Sequence, residues 1–240
     1  MSPLKKTIDK ATSSASLFRV AYLGPLGTYS HEAALKRFSG PLYQFLPYQS
    51  IRDVIHALLP NQQQNTLVEW AVVPIENSTF GPVSETHQVL SEPEVIKNLK
   101  ILKERIYLKI EHCLVGHLPK KLTDLSENQN SQTVLKRKIA SHAQGLGQCQ
   151  KYLNQHYPNA ELIMTPSTAQ AAALVAEDES GVTLAICSAA CAQYFTNIEI
   201  LDSSIQDDKK DNVTTFIILR SLNGDDDTEK FKAEKYKADN

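Results

Sequence analysis

The stretch Val72-Val73-Pro74-Ile75-Glu76-Asn77-Ser78-Thr79-Phe80-Gly81-Pro82 decides how the fold of this chain is interpreted. Apolar residues typical of a buried strand lead directly into a carboxylate, an amide and two hydroxyls, and a glycine and a proline then end the segment. Ligands of open α/β sheets bind at the carboxyl ends of strands. We therefore expect the floor of a polar pocket here. The alternative is an ordinary strand-to-helix connection in which Ser78 or Thr79 caps the next helix.

The composition favours a soluble globular protein that acts on small molecules. A length of 240 residues is enough for one large domain or two lobes with their own cores. The hydrophobic fraction of 42% and the charged fraction of 22% are ordinary for a soluble globular protein. Lys plus Arg is 25 and Asp plus Glu is 27, so the formal net charge is 25 − 27 = −2. No basic field exists to attract nucleic acid or an acidic membrane. We expect a small-molecule substrate, no nucleic-acid partner and no membrane partner.

The cysteines and histidines point to neither a disulfide framework nor a metal site. The chain has four cysteines, which are Cys113, Cys149, Cys187 and Cys191. None forms a Cys-x-x-Cys pair, and small core residues in a reducing compartment are the better interpretation. The seven histidines are scattered without ligand spacing. No metal is therefore predicted.

We expect no targeting or membrane segment in this sequence. A weak organelle-targeting signal at the start is the alternative, and Asp9 and the scarcity of arginine argue against it. The longest apolar runs are far shorter than a membrane span, and residues 1–16 lack the apolar run of a secretory signal. We expect a cytoplasmic protein. Residues 1–17 and 223–240 are expected to be flexible, since charge dominates the second of these segments.

A glycine-containing turn follows the first predicted strand, Phe18 to Leu23. Its sequence is Gly24-Pro25-Leu26-Gly27-Thr28-Tyr29-Ser30, and either Thr28 or Ser30 is placed to cap the following helix. A tight turn into a helix start presents free N–H groups, which suit an anion. The two glycines lack the spacing of a dinucleotide-binding motif.

A second strand-to-helix junction lies in the C-terminal half of the chain. Lys138 to His142 is predicted to be a short strand, and Ala143 to Leu153 a helix. Gln144 and Gln148 are one turn apart, so both can face the same space as Ser141. Plain solvent exposure is the alternative for each glutamine. Ser141 with its histidine neighbour is not a hydrolase pair, because no nucleophile-elbow glycines flank the serine.

Strand and helix candidates alternate along the chain, which predicts an α/β fold with mainly parallel sheets. Ile101 to Val115 is the longest extended candidate, and Asn212 to Leu219 re-enters as a late strand. One long outgoing strand and one returning strand predict two α/β lobes joined by two crossings, with the ligand between them. We expect the first lobe to hold residues 18–110 plus 212–222, and the second residues 111–211.

Six short motifs, in order, resemble the prephenate dehydratase family. They are Gly24-Pro25-x-Gly27-Thr28-Tyr29-Ser30, Pro74-Ile75-Glu76-Asn77-Ser78 with Gly81, Ile110-x-His112-Cys113-Leu114, Ser141-His142-x-Gln144 with Gln148-Cys149, Ser167-Thr168-Ala169, and Asn212-x-Thr214-x-Phe216. Each is short, but six in order from Val20 to Leu219 make coincidence a poor explanation. The resemblance implies a two-lobed cleft similar to type 2 periplasmic binding proteins. It also implies a carbon–oxygen lyase of phenylalanine biosynthesis, which converts prephenate to phenylpyruvate, carbon dioxide and water without a cofactor.

The resemblance also implies roles for individual residues. Thr214 would place its hydroxyl at the leaving hydroxyl, as proton donor or relay, and Glu76 is the rival acid if it is buried and protonated. Asn77 would orient the substrate beside them. The predicted substrate-binding residues are Thr28, Ser78, Ser141, Gln144, Gln148 and Phe216. Without the resemblance, Thr214 reads as an ordinary β-branched strand residue and His112 as a strand residue satisfied by hydrogen bonds.

Two departures from the family pattern affect what can be expected. Thr215 stands where the family usually has arginine, so a carboxylate contact supplied by that arginine would be missing. Family members also commonly carry a C-terminal ACT domain that binds phenylalanine, and the roughly twenty residues after Leu219 are too few for one. Either this form lacks that domain, or the sequence is part of a longer chain. Arogenate dehydratase and a non-catalytic small-anion binding protein are the rival functions. A homodimer is the expected assembly.

Overall fold

The structure, a computed structural model, describes residues 18–60, 68–117, 136–207 and 212–222. Strands and helices alternate over most of these residues. In chain order the elements are β1 (Phe18–Leu23), α1 (Tyr29–Arg37), β2 (Tyr43–Tyr48), α2 (Ile51–His56), β3 (Trp70–Asn77), β4 (Gly81–Pro82), α3 (Ser84–Leu90), α4 (Pro93–Asn98), β5 (Leu99–Lys109), β6 (Cys113–Gly116), β7 (Lys138–Ser141), α5 (Ala143–Gln148), α6 (Gln150–His156), β8 (Glu161–Met164), α7 (Thr168–Glu177), β9 (Thr183–Cys187), α8 (Ala189–Ala192), β10 (Glu199–Asp202) and β11 (Val213–Ser221).

The strands form two sheets with matching internal order. The first sheet runs β2-β1-β3-β11-β5, with β4 added to β3, and the second runs β10-β6-β9-β7-β8. In the first, β1 is parallel to β2 and β3, while β11 is antiparallel to both its neighbours. In the second, β7 is parallel to β8 and β9, while β6 is antiparallel to its neighbours. The prediction of a two-lobed α/β fold is confirmed. The expectation of mainly parallel sheets is wrong, because each sheet also contains antiparallel strand pairs.

Apolar faces of the helices hold each sheet in place. In the first lobe, α1 packs Ala33, Ala34 and Phe38 on one face of the sheet, while α2 and α3 cover the other. In the second lobe the alanine-rich helix α7 packs against β9 and buries Ala171 and Ala172 completely. Small side chains let that helix lie close to the sheet. The packed helices therefore fix the strands of each sheet, and with them the loops that follow the strand ends.

The chain passes between the lobes at residues 110–112. The predicted continuous strand Ile101 to Val115 is interrupted there, because one strand cannot keep its ladder in two separate sheets. Ile110 N donates to Asn212 O at 2.7 Å, so the outgoing and returning segments are bonded to each other. His112 N donates to Gln206 Oε1 at 3.0 Å, which adds a second tie.

Three further predictions differ from the structure or lie beyond it. The helix expected over Ala143 to Leu153 is divided at Cys149, whose backbone leaves the helical region (φ −117°, ψ 19°). Neither Ser78 nor Thr79 caps a helix, because the chain turns into β4 and α3 begins only at Ser84. The ends predicted to be flexible, 1–17 and 223–240, lie outside the described residues. In the described part of the chain, no helix has the length and apolarity to span a membrane.

Candidate active site

A cavity of about 1120 Å³ lies between the two sheets. The first lobe lines it with the turn after β1 and the β3–β4 turn, and the second lobe with the starts of α5 and α7. The crossing segment adds Ile110 and His112, and β11 adds Thr214 and Phe216. The ligand cleft predicted between the lobes is present.

The starts of two of the longer helices reach this cavity. Thr28 caps α1: its Oγ1 accepts a hydrogen bond from His31 N at 3.3 Å and donates one to Leu23 O at 2.7 Å. Ser167 caps α7 by accepting from Gln170 N at 3.1 Å. The remaining N–H groups at these starts carry partial positive charge, which favours an anion. None of the described lining residues is lysine or arginine, so the helix starts and polar side chains would have to hold negative charge.

Thr214 and Asn77 meet on the floor of the cavity, opposite each other on β11 and β3. The Asn77 amide donates to Thr214 Oγ1 at 2.9 Å and to Asn212 Oδ1 at 2.8 Å. Its oxygen accepts from the N–H groups of Thr79, at 2.9 Å, and Phe80, at 3.0 Å. Both ends of the amide are therefore occupied, which fixes its orientation. Thr214 Oγ1 is an acceptor in this arrangement, and within the described residues nothing accepts its proton.

Alternation along β11 separates the residues that face the cavity from those that do not. Thr214 and Phe216 line the cavity, and Phe216 is buried as part of its apolar wall. Thr215, between them, lies opposite Glu76 and does not line the cavity. The register shifts between Thr215 and Phe216, which places Phe216 opposite Pro74. Residue 215 of this chain is consequently outside the described lining of the cavity.

The second lobe contributes Gln144 and Gln148, and both line the cavity. Gln148 Oε1 is hydrogen-bonded to Nε2 of His112. Burial lowers the pKa of His112 below its ordinary value, and the hydrogen bond to Gln148 Oε1 only partly opposes this, so the ring is neutral near pH 7. The hydroxyl of Tyr29 lies 3.1 Å from His112 Nδ1 and donates to Glu111 O at 2.8 Å.

Three predicted site residues do not reach the cavity. Glu76 is exposed and absent from the lining, so the burial that a neutral carboxylic acid would need is not found. Ser78 is also exposed, and its Oγ accepts from Val213 N at 2.9 Å, which ties β3 to β11. Ser141 is fully buried, and its Oγ donates to Ile186 O at 2.8 Å. Gly145 covers it, because a Cβ there would lie 2.6 Å from Ser141 Oγ.

Other cavity residues have no role that the sequence assigns. Tyr29, His112 and Thr168 lie within the six motifs, and Ser167 is the cap that follows the proline at the start of α7. The Pro-Ser-Thr pattern at a strand end is a local signal for that cap. No local signal announces the pairing of Tyr29 with His112, because the two residues are 83 positions apart.

Two lobes with matching strand order and a polar cavity between them define a two-lobed α/β protein with an interlobe ligand-sized cavity. The sequence also matches the family model described as prephenate dehydratase over residues 20–223. The chain therefore belongs to the prephenate dehydratase family.

Curated relatives support this assignment. The bifunctional chorismate mutase/prephenate dehydratase of Neisseria gonorrhoeae is 32% identical over 200 residues, covering 83% of this chain and 49% of the relative. The protein of the same description from Stutzerimonas stutzeri is 34% identical over 215 residues, covering 88% and 52%. The chain spans about half the length of these relatives.

Solved structures show the same fold. The prephenate dehydratase of Arthrobacter aurescens in complex with L-Phe has a TM-score of 0.67 at 26% identity, covering 86% of this chain and 60% of that one. GqqA, described as a novel type of quorum quenching acylase, has a TM-score of 0.65 at 26% identity, covering 86% and 65%. The fold is thus shared by proteins with different described activities, and the site must carry any functional argument.

Proposed function

We propose that this chain carries the prephenate dehydratase activity, the conversion of prephenate to phenylpyruvate, carbon dioxide and water in phenylalanine biosynthesis. The observation that carries the proposal is the Thr214 hydroxyl, which accepts a hydrogen bond from Asn77 inside the interlobe cavity and keeps its own proton for a ligand. The six ordered motifs and the family match support it. By reaction type the enzyme is a carbon–oxygen lyase of the hydro-lyase kind.

The chemistry asks for one proton donor and a place for two negative charges. The ring C–O bond of prephenate breaks as its oxygen takes a proton and leaves as water. The bond to the ring carboxylate breaks at the same time, and its electron pair enters the ring, which becomes aromatic. The balance is prephenate dianion plus one proton giving phenylpyruvate anion, carbon dioxide and water.

The cavity supplies these requirements from different elements. Thr214 delivers the proton as a relay from cavity water, because a lone threonine hydroxyl is a weak acid and general acid assistance needs a resupplied proton. The helix starts at Thr28 and Ser167 and the side-chain amides of Gln144 and Gln148 face the carboxylates. Phe216 and Ile110 form an apolar wall that leaves the departing carboxylate poorly solvated.

The deciding experiment is a turnover assay of this chain with prephenate and with arogenate, each followed by product identification. Phenylpyruvate from prephenate, at a higher kcat/KM than phenylalanine from arogenate, is the expected result. A reversed ratio would make the protein an arogenate dehydratase. Binding of either compound without product would make it a small-anion binding protein.

The likeness to the quorum quenching acylase does not extend to an acyl-transfer site. Acyl transfer needs a nucleophile next to a base. The hydroxyls of Thr28 and Ser167 are engaged as helix caps. None of the hydrogen bonds between described residues joins a serine or threonine hydroxyl to a histidine side chain in the cavity.

The remaining expectations belong to the same proposal. We take residues 18–110 with 212–222 as the first lobe and 111–211 as the second, since the strands divide between the two sheets in this way. A cytoplasmic location is supported by four free, buried cysteines. A homodimer is the assembly we propose, and light scattering should give twice the chain mass of 26.7 kDa.

A further inference from the structure

A chain of polar side chains joins the two lobes beside the cavity. Tyr29 lies at the start of α1 in the first lobe, His112 in the crossing segment, and Gln148 at the end of α5 in the second lobe. The hydroxyl of Tyr29 is 3.1 Å from His112 Nδ1, and His112 Nε2 is hydrogen-bonded to Gln148 Oε1. His112 itself is buried, with only 2% of its surface exposed.

The backbone of His112 is fixed independently of its ring. Its N–H donates to Gln206 Oε1 at 3.0 Å, and its carbonyl accepts from Ile205 N at 3.0 Å. A substitution at this position therefore changes the side-chain links and leaves these two bonds available. Differences between variants at this position therefore report on the hydrogen bonds of the ring.

One distribution of protons satisfies the three side chains. With Gln148 Oε1 at Nε2, the neutral ring carries its proton on Nε2 and donates it to the glutamine. Nδ1 is then an acceptor, and the single hydroxyl proton of Tyr29 is shared between Nδ1, at 3.1 Å, and Glu111 O, at 2.8 Å. Because its oxygen is occupied, Gln148 presents its NH₂ group to the cavity that it lines. An NH₂ group can donate to a carboxylate, whereas the oxygen would repel one.

We propose that His112 is a positioning residue that holds the Gln148 amide with its NH₂ group toward the side-chain carboxylate of the substrate, which phenylpyruvate retains, and that Tyr29 fixes the ring of His112 for this purpose. The inference rests on the proposed function, since prephenate supplies the carboxylate. It assigns His112 no contact with the reacting atoms. Its effect reaches the substrate through Gln148 alone.

Two substitutions at His112 separate this role from a purely structural one. In His112→Gln, the side-chain nitrogen falls near the position of Nε2 and can still donate to Gln148. In His112→Asn, it falls near Nδ1 and cannot. His112→Asn should raise KM for prephenate about tenfold, as Gln148→Ala should by removing a hydrogen bond to a charged group, and His112→Gln should stay within about twofold of the wild type.

A double-mutant cycle gives the decisive comparison. In the Gln148→Ala background, His112→Asn should leave KM unchanged within about twofold, because the group through which it acts has gone. The tenfold loss persisting in that background, or equal KM values for the two His112 variants, would overturn the proposal. The same proteins titrated calorimetrically with phenylpyruvate, a stable carboxylate, should show the same pattern in Kd. That titration decides the role of His112 even if the wild type does not turn prephenate over. A lack of turnover would contradict the proposed function and leave the role of His112 to the Kd values.

Discussion

The amide of Asn77 makes four hydrogen bonds, which reach in two directions. Its NH₂ group holds Thr214 and Asn212 on the returning strand, and its oxygen holds the turn that carries Thr79 and Phe80. The position of the Thr214 hydroxyl and the shape of the cavity floor therefore depend on one side chain. Aspartate has the same shape but no donor, so it tests this dependence directly.

Asn77→Asp should lower kcat for prephenate by about 10- to 100-fold. The substitution faces a carboxylate oxygen toward Thr214 Oγ1 and Asn212 Oδ1, which redirects the threonine proton away from the substrate. The measurement is steady-state kinetics, with the exposed residue Asn154 changed to Asp as a charge-matched control. An Asn77→Asp enzyme with wild-type kcat would show that this amide does not organise the proton donor.

Thr215→Arg should restore the residue usual in the family without tightening substrate binding. Position 215 lies opposite the exposed Glu76 and outside the cavity, so the new guanidinium should pair with that carboxylate across the strands. An exposed pair of this kind contributes about 0–1 kcal/mol to the free energy of unfolding. The free energy of unfolding, measured in urea, and KM for prephenate should therefore both change little. A severalfold lower KM in Thr215→Arg, with none in the uncharged Thr215→Gln, would place residue 215 in contact with the ligand.

Glu76→Gln should keep kcat within about twofold of the wild type across the pH range of the assay, since general acid catalysis requires a group within reach of the leaving oxygen. The carboxyl of Glu76 is exposed and does not line the cavity. A pH–rate profile measures this. The loss of one limb of that profile in Glu76→Gln would identify Glu76 as the acid after all.

Strand-end chemistry can be predicted from the sequence, but side-chain direction cannot. The polar cluster that contains Asn77 can be located because it follows an apolar strand, whereas Thr214 is singled out only by the resemblance to the family. Ser78 and Ser141 have equally suitable hydroxyls, but neither hydroxyl reaches the cavity. The exposed Ser78 hydroxyl bonds to β11, and the buried Ser141 hydroxyl bonds to β9 beneath α5. The register shift at Thr215 is set by pairing with distant strands, so no local pattern announces it.

At the scale of elements, the start of α1 contacts the second lobe. Gly27 has φ +85°, and a Cβ at this position would lie 3.1 Å from Cys191 Sγ and 3.3 Å from Tyr194. Its N–H donates to His31 Nδ1 at 3.3 Å. Backbone conformation and interlobe contact thus both require glycine at this turn.

Gly27→Ala should lower the free energy of unfolding by about 1–3 kcal/mol, because it adds backbone strain to overpacking between the lobes. Gly147 lies within α5, where an added Cβ would have nothing within 4 Å, so Gly147→Ala should be neutral or stabilising by up to about 1 kcal/mol. Urea unfolding of both variants measures the contrast. Equal stabilities would contradict the close interlobe packing at Gly27.

The arrangement of elements can be predicted in outline from alternating strand and helix patterns. The break at residues 110–112 and the division of the helix at Cys149 cannot. In each case tertiary structure overrides a locally continuous pattern: the first break lets the chain change sheets, and the second follows the packing of buried Cys149 and Leu153 in the core of the second lobe.

At the scale of the whole molecule, stability should depend on pH through His31. Burial lowers the pKa of His31 to about 4, so the unfolded chain, with an ordinary pKa of about 6.5, binds a proton that the folded protein does not. The contribution of neutral His31 to the free energy of unfolding is fully present above about pH 6.5, and it is lost as the pH falls toward about 4.

His31→Asn keeps an acceptor for Gly27 N but cannot be protonated. The change in urea midpoint between about pH 7.5 and about pH 5 should therefore be smaller in this variant than in the wild type. His87→Asn, at an exposed position on α3, serves as the control and should behave like the wild type. The same pH dependence in all three proteins would mean that His31 does not contribute to it.

The two lobes and their crossings bring Thr214 into a cavity that neither sheet forms alone. The central claim is that its hydroxyl passes the proton to the leaving group, and kcat of Thr214→Val relative to Thr214→Ser tests this most directly. Valine keeps the shape and removes the hydroxyl, so kcat for prephenate should fall by about 10²- to 10⁴-fold, while serine should retain most of it. Equal kcat values for the two folded variants would contradict the account.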